Sequence, residues 1–348
     1  MNKNFREYVG SISTRRMILY ILACVILVLC LITLLYSAVR SIELQTIKQG
    51  EMRGDLAGRF MELRKVNYNG TTYQYRNGLT TILLMGIDND ESSSIRPTGM
   101  RNGGQADFLI LLVIDANERT VTPIQIDRDT MSEITILGIL GKEAGTRTTQ
   151  ICLSHGFGDG KDQSCKLTRD AVSKLLLGTE INFYVAINMS AISTINELLG
   201  GITVTLKDDF TSLDPTMIKG RTLTLVGEQA EYYVRHRVDI GIGTNEARMA
   251  RQREYLNSAL VQLQSKLDND KLFMDHLLDS VGDGVLTNMK RGRIINELYG
   301  SKDYEKCEII IPNGNYIVGK DGFMEFHADE AALEALVIKT FFAPQSAT

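Results

Sequence analysis

The sequence predicts an α/β fold in which a mixed central β-sheet is flanked by helices and preceded by one N-terminal transmembrane helix. Three short apolar runs between residues 80 and 126 border polar residues, a pattern typical of buried strands. A strand–helix–strand unit follows at 181–206, where Ser190 is predicted to cap the helix and Gly200-Gly201 to end it. An uncharged run of 23 residues at 17–39 supplies the transmembrane helix.

The run at 17–39 predicts a membrane anchor, since a helix of that length extends ~35 Å and crosses a hydrocarbon core of ~30 Å. A cleaved signal peptide is the other interpretation, but its apolar core is usually only ~7–15 residues. Four basic residues and one acidic residue precede the run. The N-terminus is therefore predicted to be cytoplasmic, and the part of the protein after Arg40 is predicted to be extracellular. Further on, Asn69-Gly70 between tyrosine-rich flanks predicts a hairpin turn. The predicted organisation is a cytoplasmic tail at 1–16, a transmembrane anchor at 17–39, a juxtamembrane stalk and hairpin at 40–77, and an extracytoplasmic domain at 78–345.

The three apolar strands bring polar residues to one edge of the predicted sheet. The first strand (80–86) leads into Asp88, the second (108–114) is preceded by Asp107, and the third (121–126) is followed by Arg128. The short turn between the second and third strands makes them antiparallel neighbours, so Asp107 and Arg128 fall at the same edge. Asp88 joins them if the first strand runs parallel to the third. Strand ends also become polar where they reach water, so any one of these residues alone would not indicate a site. Three polar residues at one sheet edge are the usual layout of an α/β site. Asp88 and Asp107 are both expected near the surface of that site.

A first basic cluster, EYYVRHR, occupies residues 231–237. If this segment is extended, Arg235 and Arg237 point the same way about 7 Å apart, a span that fits a diphosphate. If it is helical, the two side chains diverge and the argument weakens.

A second basic cluster begins the helix predicted at 245–267, whose leucines mark a buried stripe. Arg248 and Gln252 lie at or near that stripe, whereas Arg253 lies at its far edge. An arginine directed toward a core must meet an anion, because burial of an unpaired charge costs too much free energy. The anion is either a ligand or a carboxylate such as Asp107 or Asp129.

Composition and cysteine usage exclude several classes of function. The formal net charge of −4 argues against a nucleic-acid-binding protein, which needs a basic surface. The cysteines and the scattered histidines have no metal-ligand spacing, so a zinc site is not indicated. A Cys152–Cys165 disulfide is permitted outside the cytoplasm, and free thiols are the other interpretation; the sequence leaves this choice open.

Six short motifs occur in order along the chain: GID (86–88), ADF (106–108), DRDT (127–130), GGITV (200–204), GEQAEYYVRHR (227–237) and NEARMARQ (245–252). Together they resemble the LytR-CpsA-Psr family of membrane-anchored bacterial cell-wall phosphotransferases. The resemblance implies an enzyme that takes a glycopolymer, such as a teichoic acid or a capsular polysaccharide, from a polyprenyl-pyrophosphate carrier. It implies transfer of the glycopolymer-phosphate to a hydroxyl of peptidoglycan or a related wall acceptor.

By matching motif, the resemblance also implies roles for individual residues. Asp88 and Asp107 resemble the pair that holds Mg²⁺ (or Mn²⁺), and with Arg128 they resemble the catalytic residues. The implied substrate-binding residues are Arg128, Asp129, Arg235, Arg237, Arg248, Arg251 and Gln252. Phosphoryl transfer depends mostly on positioning and charge neutralisation, so carboxylates, a metal ion and arginines suffice for it.

The chain departs from the family pattern at several positions. Asn89-Asp90 follows the first aspartate where the family has an arginine, and Arg96 or Arg101 is a candidate replacement. Asp127 stands in place of a proline and Asn245 in place of an aspartate. Residues 148–160 (TTQICLSHGFGDG) replace a different run of the family.

These departures keep two alternatives open: a non-catalytic protein that binds the carrier lipid in wall assembly or regulation, and a hydrolase of the pyrophosphate lipid. Direct regulation of transcription is not expected from a translocated domain without a basic recognition helix.

Overall fold

The computed structural model describes residues 65–88, 103–138, 141–237 and 239–345. The predicted anchor and most of the predicted stalk lie outside these ranges, as do Arg96 and Arg101. Within the described ranges, no helix has the length and hydropathy needed to cross a bilayer.

The described residues form fifteen strands and seven α-helices, numbered here in chain order. The strands are β1 (Lys65–Tyr68), β2 (Thr71–Tyr75), β3 (Leu79–Asp88), β4 (Gln105–Asp115), β5 (Thr120–Ile126), β6 (Met131–Leu137), β7 (Glu143–Gln150), β8 (Phe183–Asn188), β9 (Ile202–Thr205), β10 (Thr222–Leu225), β11 (Val285–Thr287), β12 (Glu305–Lys306), β13 (Gly314–Val318), β14 (Met324–Ala328) and β15 (Phe342–Pro344). The helices are α1 (Asp162–Leu175), α2 (Met189–Leu199), α3 (Gln229–Arg235), α4 (Asn245–Asn269), α5 (Phe273–Val281), α6 (Arg291–Ser301) and α7 (Glu330–Phe341). Two 3₁₀ segments lie at Ile151–Phe157 and Gly282–Gly284.

A six-stranded mixed sheet in the order β11-β8-β3-β4-β5-β12 forms the centre of the domain. β4 is antiparallel to both β3 and β5, so β3 and β5 run in the same direction, which is the condition for Asp88 to share the edge. β8 is parallel to β3 on its other side. The prediction of a mixed α/β sheet is therefore confirmed, and the ends of β3 and β5 meet the start of β4 at one edge.

Side chains that alternate along these strands fill two apolar layers. One face, with Leu83, Leu109 and Leu111, belongs to the main core, to which α1, α7 and the 3₁₀ segment Ile151–Phe157 also contribute. The other face, with Ile82 and Ile114, packs with Met289 and Ile294. Successive strand residues point to opposite faces, so a strand buried on both sides is apolar along its whole length.

The strand–helix–strand unit at 181–206 differs from its prediction in two details. Its helix begins at Met189, so Ser190 lies inside the helix instead of capping it. Gly200 does end the helix, with a φ of 93° that favours glycine. The following strand, β9, pairs with β10 in a separate two-stranded sheet and does not return to the central one.

The predicted hairpin at Asn69-Gly70 is present as β1 and β2, and both turn residues have positive φ. β2 also pairs with the C-terminal strand β15, which makes a three-stranded sheet. Tyr73 and Tyr75 pack against the main core. The hairpin is thus packed on the domain rather than extending from it as part of a stalk.

Candidate active site

Asp107 lies at an irregularity between β3 and β4. Gly86 is opposite Phe108 and Ile87 is opposite Ala106, so Asp107 has no residue across from it in the ladder. Such a β-bulge changes the direction of a side chain and is common beside active sites. Asp107 is only 6% exposed, and the expectation that it lies near the surface was therefore wrong. Asp88, at the end of β3, is partly exposed as expected.

Two arginines neutralise the buried carboxylate of Asp107. Arg128 Nη1 lies 2.5 Å from one carboxylate oxygen, and Arg248 Nη1 lies 3.0 Å from the other. Of the anions considered for Arg248, a ligand or a carboxylate such as Asp107 or Asp129, the structure shows a contact with Asp107. Burial lowers the pKa of Arg248, and burial alone would also lower that of Arg128, but the nearby acidic groups Cys152, Asp107 and Asp129 raise the pKa of Arg128 above its ordinary value. Both guanidiniums stay charged, since an arginine pKa lies far above neutral pH.

Asp129 and two arginine nitrogens complete the inner part of the site. Arg128 Nε is 3.4 Å from Asp129 Oδ1, an ion-pair distance too long for a good hydrogen bond. Burial raises the pKa of Asp129, and the nearby charges of Arg128, Arg237 and Arg248 counteract that rise. Within the described residues, Nε of Arg128 and Nε of Arg248 are buried donors without an acceptor. A buried donor without a partner costs free energy, and oxygens of a ligand can satisfy it.

Arg235 is the last residue of α3, so the segment at 231–237 is helical as far as Arg235 and the 7 Å spacing of an extended segment does not apply. Its Nε and Nη2 lie 3.2 Å and 2.9 Å from the two oxygens of Asp88, a forked contact, and Nη1 lies 2.9 Å from Glu231. Burial alone would lower the pKa of Arg235, but the hydrogen bonds to Asp88 and Glu231 raise it. Arg237 follows the helix end, close enough for its charge to act on Asp129.

Arg251 and Gln252 of α4 hold the C-terminal end of α3. Arg251 donates to the backbone carbonyls of Tyr233 (3.0 Å) and His236, and it pairs with Asp208 at 3.0 Å. Gln252 donates to the carbonyl of Val234 at 3.1 Å. The last carbonyls of a helix lack partners within the helix, so these contacts cap α3 and fix the position from which Arg235 and Arg237 project. The structure thus places the side chains of Arg251 and Gln252 against the end of α3, and their implied role in substrate binding stays a prediction.

A sequence model of the LytR_cpsA_psr family matches residues 46–337. The chain belongs to this family.

Two relatives of this LytR-CpsA-Psr protein carry the name polyisoprenyl-teichoic acid–peptidoglycan teichoic acid transferase TagU. The protein of Bacillus cereus is 25% identical over 264 residues, which cover 74% of this chain and 77% of that protein. The protein of Bacillus subtilis is 25% identical over 256 residues, covering 73% and 74%.

Solved structures of the same fold include protein gbs0355 from Streptococcus agalactiae. It is 24% identical with a TM-score of 0.59, covering 75% of this chain and 87% of that one. TagT bound to LIIa-WTA is 21% identical with a TM-score of 0.56, covering 76% and 90%. At this identity the likeness establishes the fold.

Two positions at which this LytR-CpsA-Psr protein departs from the family motifs contact each other. Asn245 donates from Nδ2 to Asp127 Oδ1 at 2.9 Å, and its Oδ1 accepts from Arg248 at 2.7 Å. The hydroxyl of Tyr316, on β13, donates to the other oxygen of Asp127. Sequence reasoning did not assign a role to these three residues. The paired departures at 127 and 245 were a usable signal for two of them; Tyr316 had none.

The segment at 148–160 forms the end of β7 and a fully buried 3₁₀ segment, Ile151–Phe157. Cys152 and Cys165 are free thiols in the structure, which answers the question that the sequence left open. Burial raises the pKa of Cys152 to about 12, so it is an unreactive thiol beneath Arg128. His155, whose pKa burial lowers, contacts the carbonyl of Gly103 and thereby supports the chain just before β4.

Proposed function

We propose that the chain is a phosphotransferase that moves a glycopolymer-phosphate from a polyprenyl-pyrophosphate carrier to a hydroxyl of peptidoglycan or a related wall acceptor. The observation that carries the proposal is the gathering of arginines and carboxylates at one sheet edge, with buried guanidinium nitrogens that have no acceptor among the described residues. The names of the TagU relatives support it, since they describe a teichoic acid transferase with polyisoprenyl and peptidoglycan partners.

The arginines are suited to bind a pyrophosphate. Guanidinium groups form planar, charge-assisted pairs of hydrogen bonds with phosphate oxygens, each worth ~1.5–3 kcal/mol. Arg128 and Arg248 would approach the phosphates from the strand edge and from α4, and Arg235 and Arg237 from the end of α3. Negative charge that develops on the leaving phosphate is neutralised by fixed cations, which is the largest contribution in most phosphoryl transfers.

We further propose Mg²⁺ (or Mn²⁺) as the cofactor, held by Asp88 and Asp107. Carboxylate oxygens are the ligands that Mg²⁺ prefers, and it usually takes one or two of them with substrate phosphates and water. No group of three or more histidine, cysteine or acidic side chains suited to a metal ion occurs among the described residues. A metal ion held by Asp88 and Asp107 would need substrate phosphates and water to complete its coordination, and it would neutralise phosphate charge.

The function is tested with full-length purified protein, a lipid-pyrophosphate-linked glycan and a peptidoglycan acceptor, with and without Mg²⁺. Appearance of the glycan on the acceptor through a phosphodiester supports the proposal. Release of the glycan-phosphate into water in the presence of acceptor would instead support the hydrolase, and binding without turnover would support the non-catalytic alternative.

We also propose that the protein is a single-pass membrane protein whose domain lies outside the cytoplasm. The uncharged run at 17–39 and the basic residues before it support this orientation. Protease added to intact protoplasts is expected to digest the domain while a cytoplasmic marker enzyme survives. Complete protection of the domain in sealed protoplasts contradicts the orientation.

The change Arg235→Lys is expected to weaken pyrophosphate binding by ~1–3 kcal/mol, which is roughly 5- to 150-fold. Lysine keeps the positive charge but loses the planar pair of donors with which Arg235 now contacts both oxygens of Asp88 and which would contact phosphate oxygens. Pyrophosphate binding to the full-length protein, measured by calorimetry at two salt concentrations, checks this.

A suitable control is Arg221→Lys, because Arg221 is exposed and makes one long hydrogen bond to a carbonyl. Arg253, placed by helical phase at the far edge of the buried stripe, is unsuitable as a control, since its Nη1 donates to buried Gln125 at 2.7 Å. Equal small losses at Arg235 and Arg221 would mean that the positive charge acts only diffusely.

A further inference from the structure

A chain of hydrogen bonds runs from the hairpin β13–β14 to Asp107. The hydroxyl of Tyr316 donates to Asp127, and Asn245 Nδ2 donates to the same carboxylate at 2.9 Å. Arg248 Nη2 then donates to Asn245 Oδ1 at 2.7 Å, and Arg248 Nη1 donates to Asp107 at 3.0 Å. Asp127, Asn245, Arg248 and Asp107 are all buried, so water does not substitute for a lost contact in this chain.

The donors and acceptors in this series of hydrogen bonds permit only one orientation of the Asn245 amide. Asp127 receives donors alone: the Tyr316 hydroxyl, the Asn245 amide and the backbone N–H of Asp129 at 2.7 Å. Arg248 on the other side can only donate. A flipped amide would place its oxygen against a carboxylate and its NH₂ against a guanidinium, so both contacts would become repulsive. The carboxylate of Asp127 therefore fixes which end of Asn245 faces Arg248.

The hairpin β13–β14 is attached to the same strand end through its backbone. The N–H of Phe326 donates to the carbonyl of Asp129 at 2.8 Å, and Thr130 bridges to Phe326 in a parallel pairing. The ring of Tyr316 lies 4.9 Å from that of Phe326, so its hydroxyl is held against Asp127 by a packed ring. The hairpin β13–β14, although distant in sequence, therefore contacts Asp127 and Asp129, the residues on either side of Arg128.

We infer that Asp127, Asn245 and Tyr316 are positioning residues that aim Arg248 at Asp107 and at the phosphate site, with the charge of Asp127 and the amide of Asn245 acting as one matched pair. The inference rests on the proposed function for the identity of the ligand, but the matching of the pair does not. It predicts that the two side chains can exchange places. In the exchanged protein a carboxylate at position 245 would accept from Arg248 and from an amide at position 127. That amide would turn its NH₂ toward position 245, so the backbone N–H of Asp129 would lose the acceptor it has in Asp127.

The test compares four full-length proteins: wild type, Asp127→Asn, Asn245→Asp and the double variant Asp127→Asn/Asn245→Asp. Asn245→Asp alone sets two buried carboxylates against each other, which disfavours their charged forms and disturbs Arg248. We expect its pyrophosphate affinity to fall about tenfold or more, with a lower unfolding midpoint. The double variant is expected to recover part of the affinity and of the unfolding midpoint that Asn245→Asp alone loses, although it carries both changes. It is expected to stay below wild type, because the backbone N–H of Asp129 loses its acceptor.

Two further variants sharpen the test. Asn257→Asp makes the same substitution at an exposed position of α4 and is expected to change neither measurement. Tyr316→Phe removes one hydroxyl while keeping the ring contact, and a few-fold loss of pyrophosphate affinity without a large fall in the unfolding midpoint is expected.

Additive losses in the double variant, in both binding and unfolding, would overturn the inference. Wild type that binds no pyrophosphate would overturn the proposed function instead, and recovery of the unfolding midpoint in the double variant would still support the matched pair.

Discussion

Asp107→Ala is expected to lower the free energy of unfolding by about 3–5 kcal/mol, because it leaves a buried and a largely buried guanidinium without their carboxylate. Arg128 and Arg248 each place one Nη1 on a different oxygen of Asp107. A loss of this size corresponds to a fall in the unfolding midpoint on the order of 10 °C. Transfer is expected to be abolished as well, since the same carboxylate is a proposed metal ligand.

The matched control is Asp88→Ala. Asp88 and its partner Arg235 are each 23% exposed at the side chain, and pairs that water reaches contribute only ~0–1 kcal/mol. Asp88→Ala is therefore expected to lose Mg²⁺-dependent transfer with little change in stability. Thermal unfolding of both variants, with transfer assays alongside, separates the two effects. Equal midpoints would contradict the role of Asp107 as a buried counter-ion, and wild-type transfer in either variant would place the site elsewhere.

The sheet edge could be predicted because it depends on local features. The apolar runs that became β3, β4 and β5 were bounded by turns, and the short turn between the second and third fixed their antiparallel pairing. Once that pairing is known, Asp107 and Arg128 must share an edge. The family motifs then added Arg248 and Arg235 to the same edge, and the structure brings both of them to carboxylates there.

The burial of Asp107 could not be predicted, because a β-bulge is a property of the pairing and not of the residue types in one strand. The helical form of α3 was equally ambiguous, since EYYVRHR mixes aromatic and β-branched residues with good helix formers. Helical phase placed Arg253 at the edge of the buried stripe, where it is partly buried, but could not show that its Nη1 donates to Gln125 of β5.

The positioning chain at Asp127 depends on contacts that no local pattern encodes. Asn245 lies 118 residues from Asp127 in the sequence, and Tyr316 lies 189 residues from it. Asp127 and Asn245 were visible as departures from a family pattern, but only the folded chain shows that they contact each other. In the structure the two departures form a hydrogen bond with each other.

Both proposed metal-binding carboxylates are paired with arginines. We therefore expect a second large effect, in which the binding of Mg²⁺ and the binding of pyrophosphate strengthen each other. Asp107 is paired with Arg128 and Arg248, and Asp88 is paired with Arg235. A pyrophosphate that takes up these guanidiniums releases carboxylate oxygens for a metal ion, and a metal ion that takes up the carboxylates releases the guanidiniums. Each ligand therefore removes a competitor of the other, and by linkage the effect is reciprocal.

We expect saturating Mg²⁺ to tighten pyrophosphate binding by about 1–3 kcal/mol, or roughly 5- to 150-fold, in full-length wild-type protein. In Asp88→Asn, which removes the charge with which Asp88 competes for Arg235, pyrophosphate affinity without Mg²⁺ should be no weaker than in wild type, and most of the gain from Mg²⁺ should disappear. Calorimetric titrations of both proteins, with and without the metal ion, measure this. Mg²⁺ also binds pyrophosphate in solution, but that equilibrium is the same for wild type and for Asp88→Asn. The difference between the two proteins in the gain from Mg²⁺ therefore reports on the site alone. An equal gain in both proteins would show that Asp88 takes no part in holding the metal ion, and the competition described for Arg235 would then be wrong.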